Sequence, residues 1–188
     1  MAVDYAAVIL AGGTAVRMDG IDKASVEYAG RTLLEHALTA VSGAVEVVVV
    51  GEQVPTTRPA TFVREDPPHG GPAAGLLAGR DALLSTPTYL AVLAVDMPRV
   101  SAETFRRLLT AAAGHDGAFL SDDSGRRALA GVVALTALDR VRPAEVSGLP
   151  LHRLLANLDL DLVAGRHGEA VDVDTWADLR DLGEEPEG

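Results

Sequence analysis

The 188-residue sequence predicts a single α/β domain, a three-layer sandwich in which a mostly parallel sheet carries helices on both faces. Three observations point there. Two runs, residues 45–50 (VEVVVV) and 89–95 (YLAVLAV), are apolar almost without interruption, as strands buried on both faces must be. A third run, residues 5–11, ends at a Gly12-Gly13 pair and is followed by an amphipathic helix before residue 45, which makes a βαβ step. Hydrophobic residues form 48% of the chain but aromatics only 4%, so the core is built from Ala, Val and Leu, which suits helices laid on a parallel sheet.

Taken in order, the first strand stops where the glycine pair lets the backbone turn tightly and approach a ligand. Arg17 and Lys23 follow, so this loop offers free N–H groups and positive charge to a polyphosphate. It is neither common phosphate loop: no G-x-x-x-x-G-K-[ST] is present, and Gly12-Gly13 does not begin G-x-G-x-x-G. Residues 24–28 extend briefly before a turn at Ala29-Gly30-Arg31. Thr32 and Glu35 form a T-x-x-E capping box, and Leu34, Ala37, Leu38 and Val41 share one helical stripe that Gly43 ends. The connection 51–59 carries two prolines, 61–64 reads as a short strand, and 65–71 (EDPPHGG) is a second loop. It runs into Pro72, a favourable first residue for a helix ending near Leu84. The run 89–95 is the expected central strand, with Asp96 at its carboxyl end, where open α/β sheets place their ligands.

A helix follows over 101–112, with Phe105, Leu108, Leu109 and Ala112 facing inward. Residues 117–120 read as a strand and 121–127 (SDDSGRR) as a polar loop; 128–135 reads as a strand, with a helix the alternative by periodicity. A short helix is expected at 149–158 and a last strand at 170–174, whose alternation puts Asp172 and Asp174 on one side, before a helix over 175–182. The domain is expected to fill residues 1–183, with 184–188 an acidic, frayed tail.

The formal net charge of -11 argues against a general nucleic-acid binder, so an anionic substrate must meet a local positive site, a bound cation, or both. Without cysteine there is no disulfide, thiolate zinc site or cysteine nucleophile, which fits the cytoplasm. The start has no positive n-region and no run approaches the roughly 20 apolar residues of a membrane span, so neither a secretory signal nor a membrane association is expected. The five histidines have no zinc-binding spacing.

The order Leu10-Ala11-Gly12-Gly13, Arg17-Met18, Gly20, Asp22-Lys23 resembles the opening loop of the molybdenum cofactor guanylyltransferase (MobA-like) family. Asp19 stands where a second glycine is common. Gly71–Gly75 (GPAAG) is similar to the family's G-P-L-A-G, and Asp96-Met97-Pro98 to its D-x-P. The stretch 170–179 (AVDVDTWADL) resembles its closing V-N-x-N-T-P-E-D-L or D-I-D-T-P-E-D-L, with Trp176-Ala177 in place of Pro-Glu. The resemblance implies a Rossmann-like fold of the nucleotide-diphospho-sugar transferase type. It further implies that Leu10, Ala11, Gly12, Gly13, Arg17 and Lys23 wrap a triphosphate, while Asp66, Gly71, Pro72 and Gly75 lie at the base. Asp96 would hold catalytic Mg2+ beside the nucleotide, with Asp172 as second metal ligand and Asp174 capping the next helix. Arg17, Lys23 and Asp96 are then the catalytic residues.

Two carboxylates and two cations have a clear use in such a site. Magnesium takes oxygen ligands, commonly one or two carboxylates with substrate phosphates, and cations stabilise charge on a reacting phosphorus and on departing pyrophosphate. The implied reaction moves GMP from GTP to the phosphate of molybdopterin, or molybdenum cofactor, with transient contacts to cofactor-carrying proteins. The family's usual proline near Ala128 is absent, which leaves pterin contacts there open, although Arg126 and Arg127 could meet a phosphate. Cytidylyl transfer to the cofactor or to another phosphorylated acceptor is the nearest alternative. In a different class stands a non-catalytic nucleotide- or cofactor-binding protein.

Overall fold

The computed structural model describes residues 3–12, 22–65 and 70–184. In chain order its strands are β1 (Tyr5–Leu10), β2 (Glu27–Tyr28), β3 (Arg31–Thr32), β4 (Val47–Val50), β5 (Thr61–Val63), β6 (Tyr89–Ala94), β7 (Gly117–Ser121), β8 (Arg127–Ala134) and β9 (Leu160–Ala164). The helices are α1 (Leu33–Ala40), α2 (Pro72–Asp81), α3 (Ala102–Ala111), α4 (Leu135–Arg140), α5 (Leu151–Leu154) and α6 (Trp176–Glu184). Seven strands form one sheet in the order β5-β4-β1-β6-β8-β7-β9, and β2 pairs with β3 in a small ribbon. Only β8 runs against the rest of the large sheet.

Strand alternation divides the core between the two faces. Tyr5, Ala7 and Ile9 of β1 and Ala91 and Leu93 of β6 pack with α1, α3 and Leu182 of α6. Ala6, Val8 and Leu10 with Leu90 and Val92 pack against α2, α4 and α5. The expected three-layer sandwich is therefore the one observed.

Glycines let α2 lie close to the sheet. A Cβ on Gly79 would come within 2.6 and 2.7 Å of the two Val8 methyls, and one on Gly75 within 3.1 Å of Leu10 Cδ2.

Several elements differ from their sequence reading. Residues 128–135 resolve as strand β8 followed at once by α4, and neither α4 nor edge strand β9 is announced by a clean pattern. The helix expected to end near Leu84 stops at Asp81, because Glu46 accepts hydrogen bonds from the Leu84 and Ser85 amides and holds them in a turn. Glu46 does this from outside β4, which begins at Val47 with Val45 exposed. The helix expected over 149–158 is the single turn α5, followed by turns. The Thr32 cap forms, but Glu35 turns away from it to accept from the amide and hydroxyl of Thr57. The segment 170–174 is irregular and crosses the strand ends instead of joining the sheet.

Candidate active site

Neighbouring parallel strands end together and so deliver their following residues to one place. The β1–β6 register closes at Leu10 opposite Ala94, and the Val95 amide donates to the Leu10 carbonyl at 3.0 Å. The amides of Ala11 and Gly12 both donate to the Val50 carbonyl, at 2.9 and 2.8 Å. The start of the glycine loop and Asp96 thus emerge side by side from the carboxyl edge of the sheet.

Lys23 reaches this edge from a single turn of 3-10 helix, Lys23–Ser25. Asp22 caps that turn by accepting from the Ala24 amide at 3.1 Å, and buried Ala24 and Val26 anchor it to the core. From this fixed base the Lys23 ammonium donates to Asp96 Oδ2 at 2.9 Å and to Asp174 Oδ1 at 2.8 Å. Asp174 arrives on the irregular segment after β9. Within it Val173 is fully buried, and its amide donates to the Asp96 carbonyl at 2.8 Å. The in-out alternation read at 170–174 survives locally, with Val173 inward and Asp172 exposed to solvent.

Asp172 and Asp174 put further negative charge near Asp96. Burial pushes the Asp96 carboxyl above its ordinary value; Lys23 pulls it down by charge and hydrogen bond, and Asp172 and Asp174 push it up again. Burial also opposes the Lys23 charge, yet the hydrogen bonds and charges of Asp174 and Asp96 outweigh it and hold the ammonium above the usual lysine value. The edge carries more negative than positive charge among the residues so placed, and its donors are oxygens, which is the chemistry of a magnesium site completed by phosphates. Among the described residues no three His, Cys, Asp or Glu side chains are themselves gathered as a metal cage.

Asp174 corrects its expected role. Thr175 Oγ1 accepts from the Asp178 amide, while Asp178 accepts from the amides of Asp174 and Thr175, so a Thr175–Asp178 box caps α6 and leaves the Asp174 carboxylate to Lys23. The signal was present in the D-V-D alternation, which already put Asp174 beside Asp172.

The remaining predicted residues sort by environment. Gly13, Arg17 and Asp66 lie outside the described residues. Among the described residues, an added Cβ at Gly12 would meet only ordinary contacts, 3.6 Å to the Val50 carbonyl oxygen and 3.8 Å to Glu65, so their packing does not demand glycine there. Gly71 has φ of 88° and precedes exposed Pro72 at the start of α2. Gly75, by contrast, is buried against Leu10 and serves helix–sheet packing. Arg127 stands across from Ser121 at the same edge, its guanidinium 5.3 Å from the centre of the Phe119 ring.

The chain is similar to several known proteins. A protein of Acidiphilium cryptum called molybdenum cofactor guanylyltransferase is 37% identical over 92% of this chain and 91% of its own length. Among solved structures, Rv0371c of Mycobacterium tuberculosis superimposes with a TM-score of 0.77 at 20% identity, over 98% of this chain and 100% of that one. It has also been solved in complex with manganese. Molybdopterin-guanine dinucleotide biosynthesis protein A of Archaeoglobus fulgidus gives 0.73 at 22% identity, over 95% of this chain and 96% of that one. Likeness at these identities shows a common fold. The profile of the MobA-like NTP transferase domain matches residues 7–164, and the chain belongs to that family.

Proposed function

We propose that this protein transfers GMP from GTP to the phosphate of molybdopterin in the molybdenum cofactor, releasing pyrophosphate. The observation that carries the reading is Lys23 joined to Asp96 and Asp174 at the carboxyl edge of the sheet, beside the start of the glycine loop. The 37% identical guanylyltransferase, aligned over nearly the whole chain, supports guanosine as the nucleoside and the cofactor as acceptor.

In this reading an acceptor phosphate oxygen attacks the α-phosphorus of GTP and the bond to the β-phosphate breaks. The acceptor is already a competent nucleophile, so no protein nucleophile is needed and the chain contributes position and charge. The Ala11 and Gly12 amides are engaged by the Val50 carbonyl, so Leu10 to Gly12 would contribute shape and close backbone approach, and the lack of a packing reason for glycine at position 12 among the described residues fits that approach. Lys23 and Arg17 face the triphosphate, and Asp66, Gly71 and Pro72 lie at the guanine end. Asp96 and Asp172 would hold Mg2+, which supplies charge neutralisation of the phosphates. Manganese in a structural neighbour supports a divalent metal in this fold. Arg127, stacked on Phe119, would meet the acceptor's phosphate.

No helix among the described residues is long and apolar enough to cross a membrane, and a cytoplasmic location suits the reaction. A pyrophosphate-release assay with molybdopterin and each of GTP, CTP, ATP and UTP tests the proposal. Product is expected with GTP and Mg2+, with Asp96→Ala slower by orders of magnitude and folded by circular dichroism. A preference for CTP would move the protein to cytidylyl transfer. Nucleotide binding without turnover would make it a carrier.

A further inference from the structure

The residues that bring acid groups to the Lys23 edge are held by little regular structure. After β9 the chain runs through 165–175 without helix or strand, and the Gly165 amide donates to the Ser121 carbonyl at 3.0 Å. The chain then reverses through two left-handed residues, His167 (φ 51°) and Gly168 (φ 75°), with Arg99 donating to the His167 carbonyl at 3.1 Å. Glu169 follows directly, and its side chain is buried in spite of its charge.

Donors from Thr104, Arg107 and Arg166 converge on that carboxylate. Arg107 Nη2 donates to Oε2 at 2.8 Å, and Nη1 reaches Oε2 and Oε1 at 3.0 and 3.2 Å. Fully buried Thr104 donates its hydroxyl to Oε1, and the Arg166 amide donates to Oε2 at 2.9 Å. Thr104 and Arg107 belong to α3, the helix that begins just after Asp96-Met97-Pro98. One carboxylate therefore ties the irregular segment to the element that follows Asp96, three residues before Asp172 and five before Asp174.

A buried ion pair is a weak device for stability, because desolvation offsets most of the attraction, and apolar residues of similar size often serve as well or better. What it adds is direction: a bidentate guanidinium accepts a carboxylate in one geometry, whereas an apolar contact tolerates sliding. A segment with few backbone bonds of its own, carrying two carboxylates that must meet Asp96 and Lys23, has use for such a fix.

We propose that the Glu169–Arg107 pair is a positioning device, which sets where segment 170–174 crosses the sheet edge and so places Asp172 and Asp174 against Asp96 and Lys23. The catalytic part of this inference rests on the transfer reaction proposed above; the positioning part does not.

The test compares Glu169→Gln and the double replacement Glu169→Leu with Arg107→Leu against the wild type. The readouts are melting temperature, kcat, the magnesium concentration for half-maximal rate, GTP affinity by calorimetry, and hydrogen exchange at the Val173 amide. The apolar pair is expected to melt near wild type yet lose about tenfold or more in kcat, as displaced catalytic groups do, with a higher magnesium requirement and nearly unchanged GTP affinity. Val173 exchange should accelerate about tenfold relative to β6 amides, since its bond to Asp96 depends on the segment's register. If the apolar pair retains kcat and Val173 protection, Glu169 serves packing only and the proposal is overturned. Should the apolar pair fail to fold, Glu169→Gln, which keeps the size and one acceptor oxygen while removing the charge, decides by the same readouts. Should the wild type make no product with molybdopterin, the transfer reading fails, while Val173 exchange still decides the positioning role.

Discussion

Lys23 is one of only 16 cationic side chains in a chain with 27 acidic ones, and it is held by two carboxylates where a triphosphate is proposed to bind. Its flexible stem can leave Asp174 and follow a phosphate, which a planar guanidinium does less readily. If its contact strengthens as pyrophosphate departs, Lys23→Ala should lower kcat about a hundredfold while weakening GTP binding much less. Steady-state kinetics beside a GTP titration decide it, and equal losses in both would make Lys23 a phosphate anchor only. Asp96 has the opposite balance. Its folded pKa is raised by burial, so between the ordinary carboxylate value and the raised one the unfolded chain carries less proton on it than the folded chain. Stability therefore falls as pH rises through that window. Asp96→Asn removes the penalty and should melt at or above the wild-type temperature at pH 7 while abolishing turnover. A melting temperature lower by more than about 4 °C, roughly 1 to 2 kcal/mol for a domain this size, would mean that the Lys23 pair contributes more than the burial costs.

Among the elements, Gly79 of α2 and Gly12 just after β1 meet different surroundings among the described residues, so glycines of similar appearance in sequence are expected to have unlike reasons. Gly79 faces the stiff, β-branched Val8 of a fully buried strand, so a methyl there has nowhere to go. Gly79→Ala should destabilise by about 1 to 3 kcal/mol through overpacking, with GTP affinity little changed in the folded fraction. Gly12→Ala should do the reverse, leaving thermal stability near wild type and weakening GTP binding. Melting curves and calorimetry on the two variants check both, and a Gly12 variant that binds GTP normally would remove that residue from the site. The same contrast explains which elements could be read in advance. The strands β1, β4 and β6 are apolar on both faces, and α1 and α3 have side-chain caps, so each carried a strong local signal. Edge strand β9 is mostly exposed, and α4 has no side-chain cap and leaves β8 without a turn, so both lacked one. The stretch 170–174 had strand-like alternation without a strand, because buried Val173, its bond to the Asp96 carbonyl and the Lys23–Asp174 contact hold it by side chains and one amide and not by a ladder.

For the molecule as a whole, sheet topology converts separate motifs into one site. The sequence signals at Lys23, Asp96 and Asp172 were legible residue by residue, but the pairing of Lys23 with Asp174, |i−j| of 151, depends on β9 returning the chain to the sheet edge. No local pattern contains that contact. The overall charge of -11 then sets how substrate reaches the edge. A nucleoside triphosphate approaching from solvent meets a repelling field whose range is about 30 Å at 0.01 M salt and about 8 Å at 0.15 M. Lys23 cannot offset that field at long range, because its own charge is neutralised within 3 Å by Asp96 and Asp174. Added monovalent salt should therefore screen mainly repulsion, and the association rate of magnesium-bound GTP is expected to rise severalfold between about 0.01 and 0.15 M, opposite to a site steered by free cations. Stopped-flow measurements at fixed magnesium would show it. A rate that falls with salt would mean that cations of the glycine loop, Arg17 among them, dominate the field that the nucleotide meets.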